Sequence, residues 1–127
     1  MALNRQNGAA ICLLDDDPSI LKATGRLLRA AGWEVETFTE PPSFLDHART
    51  HQPKVAVLDI LMPAMNGLEV QTELRIISPS TRVIVLTSND DSLVRARAMD
   101  AGASAFFLKP VNGQEFLAGI QRAVEGN

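Results

Sequence analysis

Four short apolar runs constrain this chain more than anything else in it: A-A-I-C-L-L at 9–14, K-V-A-V-L-D at 54–59, R-V-I-V-L at 82–86 and S-A-F-F-L at 104–108. Apolar stretches of this length, with turn residues close behind, read as strands buried on both faces. A fifth stretch, Trp33 to Phe38, alternates instead, with Trp33, Val35 and Thr37 on one side and Glu34, Glu36 and Phe38 on the other. That half-exposed pattern belongs at a sheet edge.

Helical segments separate the strands. The first is predicted over 18–31, with Asp17 suited to the N-cap, Pro18 to the first turn and Gly32 to the close. Its apolar stripe reads as Ile20, Thr24, Leu27 and Ala31. Gly25 in its interior costs about 1 kcal/mol relative to Ala, which suggests close packing there. Pro41-Pro42 opens a short helix through about Thr50, ahead of Pro53. A third spans 67–77 with Val70, Leu74 and Ile77 inward, stopped by Pro79. The fourth runs from a cap at Asp91 or Ser92 to Ala101 and ends at Gly102; the fifth spans 113–125 with Phe116, Ile120 and Val124 inward. Five strands alternating with five helices force a mostly parallel sheet covered on both faces, a doubly wound α/β sandwich.

The buried strands share a second property: each ends on a reactive polar group. Asp15 and Asp16 follow the first, Asp59 the third, Thr87 the fourth and Lys109 the fifth. A lone acid at a strand end is more often a cap or a surface charge, so convergence is what matters. In open α/β sheets the ligand crevice lies outside the carboxyl ends, where strand order reverses. With the alternating second strand at the edge, the order is 2-1-3-4-5, and Asp15, Asp16 and Asp59 meet at the switch point. Three carboxylates that close repel one another unless a cation compensates them. Mg²⁺, held by few protein oxygens with waters and a phosphoryl group completing the octahedron, suits that need. Lys109 offers a second positive charge and Thr87 a hydroxyl donor. Nucleophilic carboxylate, metal, lysine and hydroxyl are the parts of an aspartyl-phosphate chemistry.

Composition narrows the field. With 127 residues, 46% of them hydrophobic and 21% charged, the chain is long enough for one globular domain without staples. A net charge of −3 gives no electrostatic footprint for nucleic acid. The single cysteine, Cys12, excludes an internal disulfide and sits in an apolar run, as a buried structural thiol does. No apolar stretch approaches the ~20 residues that span a bilayer. The polar leader 1–8 is no signal peptide and is expected to be flexible, with the domain over 9–127 in the cytoplasm. His47 and His51, four apart, are spaced for a surface metal pair but lack a third ligand, so solvated histidines are expected.

At this point the residues resemble a known family, the receiver domain of two-component response regulators. The motifs that carry the resemblance are L-L-D-D-D-P after the first strand, V-L-D-I-L-M-P-A-M-N-G-L-E at the third, V-L-T-S after the fourth and F-F-L-K-P after the fifth. They come in order and at matching spacing, over essentially the whole length from Ala9 to Glu125.

The resemblance implies that Asp59 is the phosphoacceptor, taking a phosphoryl group from a phosphohistidine on a sensor histidine kinase or a histidine phosphotransferase. It implies that Asp15, Asp16 and Asp59 hold Mg²⁺ with the main-chain carbonyl of Leu61, Asp16 directly and Asp15 partly through water. Lys109 would bind a phosphoryl oxygen, and the Lys109-Pro110 peptide would be cis, aiming that lysine inward. Thr87 and Phe106 would form a switch pair that alters the face around the fourth helix, fifth strand and fifth helix, read by a downstream protein target. Leu61 and Asn89 stand where the family tunes phosphoryl loss, and Ser88 is small enough to give access to Asp59. Ser104-Ala105 replace an acidic pair of the winged-helix subfamily, which weakens that subfamily's mode of dimerisation without deciding whether the chain dimerises. Arg95, Arg97, Asp100 and Arg122 fall on or near the signalling helices and read from spacing as solvated charges.

A single-domain regulator is expected, with a fragment of a longer regulator carrying an output domain as the alternative. An aspartyl-phosphate phosphatase is a poorer fit, because its general acid would stand two residues past the nucleophile, where Leu61 is. A flavin module is poorer still, since three acids after the first strand would repel its phosphate.

Overall fold

Strands β1 (Ile11–Leu14), β2 (Val35–Phe38), β3 (Val55–Leu58), β4 (Arg82–Thr87) and β5 (Ala105–Leu108) alternate with helices α1 (Pro18–Ala30), α2 (Pro41–His51), α3 (Gly67–Ile77), α4 (Ser92–Asp100) and α5 (Gly113–Glu125). This computed structural model describes residues 10–61 and 66–126. The leader over 1–8 and positions 62–65 of the motif around Asp59 lie outside the described residues. The sheet is parallel throughout, in the order β2-β1-β3-β4-β5.

Two apolar layers hold it together. Cys12, Leu14, Ala56, Leu58, Val83 and Val85 face α2, α3 and α4, meeting Phe44, Ala48, Val70, Leu74 and Ala98. Ile11, Leu13, Val55, Val57, Ile84 and Leu86 face α1 and α5, meeting Leu21, Leu28, Phe116 and Ile120. The period-2 alternation of a strand thus feeds both layers from one apolar run, which is why β1 and β3 are apolar throughout.

The helices begin where their caps dictate. Asp17 accepts the Ser19 amide at 2.9 Å, and Asp91, not Ser92, caps α4 by accepting the Leu93 amide at 2.8 Å. Asn66 and Glu69 form a reciprocal capping box at the start of α3.

Some details differ from the sequence reading. The buried stripe of α1 is Leu21, Gly25 and Leu28, with Ile20, Thr24 and Leu27 beside it and Ala31 exposed. Two apolar rows run side by side along this helix, so periodicity alone cannot choose between them. At Gly25 a Cβ would meet the Arg29 side chain at 3.1 Å and the Thr37 methyl at 3.8 Å, so no backbone contact demands glycine there. In α5 it is Ala123 that is buried, with Val124 half-buried beside it. β2 starts at Val35, and Phe38 turns toward α2, its ring 5.8 Å from that of Phe44.

Candidate functional site

Asp15, Asp59 and Lys109 occupy one structural position: each is the first residue past the end of a strand. Each amide is held by the last residue of a neighbouring strand, Asp15 N by Phe38 O, Asp59 N by Leu14 O and Lys109 N by Thr87 O, at 3.1, 3.0 and 2.9 Å. The ladder therefore continues one residue beyond the strands and aligns three side chains along one rim. The Lys109-Pro110 peptide is cis.

At that rim the Lys109 Nζ donates to Asp15 Oδ2 at 2.6 Å and to Asp59 Oδ2 at 3.1 Å. Both carboxylates are buried, each 5% exposed. Their other oxygens are also engaged: the Asp17 amide donates to Asp15 Oδ1 and the Leu61 amide to Asp59 Oδ1, both at 3.0 Å. These amides two residues on were missed from the sequence, though local bonding of this kind is an ordinary habit of aspartate. Asp16 is exposed and completes the group, with carboxylate oxygens of Asp15, Asp16 and Asp59 all within 4.8 Å of one another.

Electrostatics follow from burial. Desolvation pushes the Asp15 carboxyl above its ordinary value, aided by the Asp59 charge, and the bonds from Lys109 and the Asp17 amide only partly hold it down. Burial alone would lower Lys109, but two hydrogen-bonded carboxylates outweigh it and hold the ammonium above its ordinary range. Three carboxylates against one lysine leave two negative charges for a further cation to offset. The donors are hard oxygens only, with no sulfur or imidazole among them, so the set fits Mg²⁺ rather than a thiophilic metal.

Thr87 is fully buried, and its Oγ1 accepts the Asn89 amide at 3.3 Å. Ser88 is exposed, and Leu61 is 49% exposed beside the acids. Phe106 is half-buried against the α2–α4 layer, whereas Phe107 points into the opposite layer, edge-on to Phe116. The guanidinium of Arg95 lies over the Phe106 ring, 5.4 Å from its centroid. Spacing alone had made Arg95 a solvated charge, because the ring it covers is on another element. Arg97, Asp100 and Arg122 are exposed. His47 and His51 stack face to face at 4.2 Å, and among the described residues they belong to no group of three metal-ligating side chains.

One more residue shapes the site. A Cβ at Gly67 would lie 2.5 Å from Asp59 O and 2.7 Å from Ile60 Cα, so the start of α3 rests directly on the main chain of Asp59. Gly67, directly after the α3 cap Asn66, is thus a close-approach position.

A family model described as the response regulator receiver domain matches residues 11–121. Response regulator protein TodT of Pseudomonas putida is 33% identical over 117 residues, covering 92% of this chain and 52% of that protein. Transcriptional regulatory protein KdpE of Mycobacterium tuberculosis is 37% identical over 119 residues, covering 92% of this chain and 51% of that protein. The chain spans about half the length of these curated relatives. A CheY-like response regulator receiver domain protein from Methanospirillum hungatei JF-1 superposes with a TM-score of 0.86 at 28% identity, covering 91% of this chain and 93% of that one.

Proposed function

We propose that this chain, which belongs to the response regulator receiver family, takes a phosphoryl group onto Asp59 from a phosphohistidine of a sensor histidine kinase or histidine phosphotransferase. The observation that carries this reading is the Lys109 ammonium bridging the buried carboxylates of Asp15 and Asp59. An Asp59 oxygen attacks phosphorus, the P–N bond breaks with its electron pair passing to the imidazole, and an acyl phosphate remains on Asp59. Lys109 already touches the nucleophile, so it can follow the developing charge onto a phosphoryl oxygen. The Leu61 amide holds one Asp59 oxygen in place and leaves the other for attack.

Asp15, Asp16, Asp59 and the Leu61 main-chain carbonyl are the groups that would hold Mg²⁺. When bound, the ion offsets the carboxylate charge and polarises the phosphoryl oxygens. Thr87, buried at the end of β4, turns its hydroxyl toward the phosphoryl group, and Phe106 moves into the space released. That change alters the surface of α4, β5 and α5 for a downstream protein, with no nucleic acid or membrane contacted directly. Among the described residues no helix is long and apolar enough to cross a membrane, and we place the domain in the cytoplasm. Apolar Leu61 orders no attacking water, so the acyl phosphate is long-lived; a half-life of only seconds would contradict this.

The test is to add a small-molecule phosphodonor with Mg²⁺ and weigh the intact protein. The wild type gains one phosphoryl mass and Asp59→Asn gains none. An equal adduct on Asp59→Asn would overturn the assignment.

A further inference from the structure

Gln71, on the buried side of α3 with Val70 and Leu74, is the one long uncharged polar side chain among the buried described residues, 1% exposed. Its Nε2 donates to Ala98 O in α4 at 2.9 Å, and its Oε1 is buried without a hydrogen-bond partner among the described residues. An unpaired buried acceptor is costly, and a leucine or methionine would fill the same space without it. A glutamine makes sense here if the Nε2 bond is needed. The Ala98 carbonyl settles the amide's orientation, since the reverse would set two acceptors against each other.

α4 is the element that needs such a bond. Of its nine residues only Ala98 is buried, while Leu93 and Met99 are 58% and 41% exposed. An element with so little apolar burial is drawn from the low-stability end of a fold. α3 grips it instead by two polar contacts to the carboxyl end: Gln71 on Ala98 O, and the Arg75 guanidinium on Ala101 O at 3.3 Å. The other end of α3 rests on the Asp59 main chain through Gly67.

We propose that Gln71 is a positioning residue that pins α4 to α3, and that this latch governs how far α4 rearranges when Asp59 carries a phosphoryl group. The second half rests on the phosphoacceptor reading above; the first does not.

Amide hydrogen exchange on the full chain, with and without Mg²⁺ and beryllium fluoride as the phosphoryl mimic, tests both. In Gln71→Met, which keeps the volume and loses both polar atoms, amides of residues 92–100 are expected to exchange about tenfold faster without ligand, as for a locally opened helix. Those of α1 and α5 stay as in the wild type. The further change in α4 on adding beryllium fluoride shrinks in the variant. Arg75→Ala, at an exposed position, gives a smaller effect of the same sign. Exchange in α4 within twofold of wild type for Gln71→Met would overturn the latch. Should that variant not fold, the Gln71 side-chain amide protons of the wild type decide: they lose protection together with α4, and their exchange while α4 stays protected would overturn the proposal. A ligand response in α4 as large in folded Gln71→Met as in wild type would overturn the second half alone. If beryllium fluoride changes nothing around Asp59 in the wild type, the phosphoacceptor reading fails, and the latch is still judged from the unliganded comparison.

Discussion

Substituting alanine at Gly67 is expected to destabilise the fold by about 1–3 kcal/mol or more, the cost of overpacking a site that cannot relax. The new methyl would meet main-chain atoms of Asp59 and Ile60. Gly119→Ala should also destabilise, because its Cβ would sit 2.8 Å from the Phe107 ring, itself wedged against Phe116. Gly25→Ala should be neutral or stabilising by roughly 0.5–1 kcal/mol, since the Thr37 methyl is at ordinary contact distance, the end of the Arg29 side chain need shift only slightly on its bond to Val35 O, and the helix gains propensity. Urea unfolding midpoints of the three variants check this order. Cys12 makes a second case at this scale. Burial, with the Glu36 charge in support, pushes its thiol up to about 12, so at neutral pH it stays protonated. A thiol reagent should label it only on unfolding, and rapid labelling of the folded chain would contradict the burial.

At the scale of elements, the packing of α2 on β2 carries a pH dependence. His47 is half-buried between the Phe38 and His51 rings, and its Nε2 has no hydrogen-bond partner among the described residues. Burial, then the His51 charge, lower its pKa from the ordinary 6.5, with Glu36 acting weakly the other way. The unfolded chain therefore binds this proton more readily than the folded one. Stability from His47 is complete above 6.5 and is lost as pH falls through the lowered folded value. His47→Phe keeps the ring stack and removes the proton, so its urea midpoint should decline less than that of wild type on the acid side of 6.5. An identical decline in both would show that His47 plays no part.

For the molecule as a whole, a metal ion held at the acidic rim would couple its binding to stability. Mg²⁺ at about a hundred times its dissociation constant should stabilise the wild type by about 2.7 kcal/mol, read as a rise in Tm. Asp16→Ala, at an exposed position, should fold normally and lose much of that rise. A rise unchanged in Asp16→Ala would remove Asp16 from the ligand set.

Apolar runs and turn residues by themselves determined that this chain forms five strands alternating with five helices. The strand-end groups Asp15, Asp16, Asp59, Thr87 and Lys109 were legible too, because a charge directly after a buried strand is costly to desolvate unless something pairs with it. The order β2-β1-β3-β4-β5 followed from the alternating strand, which marks an edge, together with the convergence of the polar strand ends. Distances between strand ends are not encoded locally, so only the tertiary structure decided the rest. It brought Lys109 Nζ onto two carboxylates contributed by β1 and β3, and laid Arg95 over Phe106. It chose Leu21 and Leu28 over Leu27 and Ala31 as the buried row of α1, because two rows of equal periodicity are separated only by what packs against them. It also buried Gln71, whose polarity gave periodicity no reason to place it inside. The local chain sets which groups stand at strand ends and helix faces; the packing of elements distant in sequence sets which of them meet.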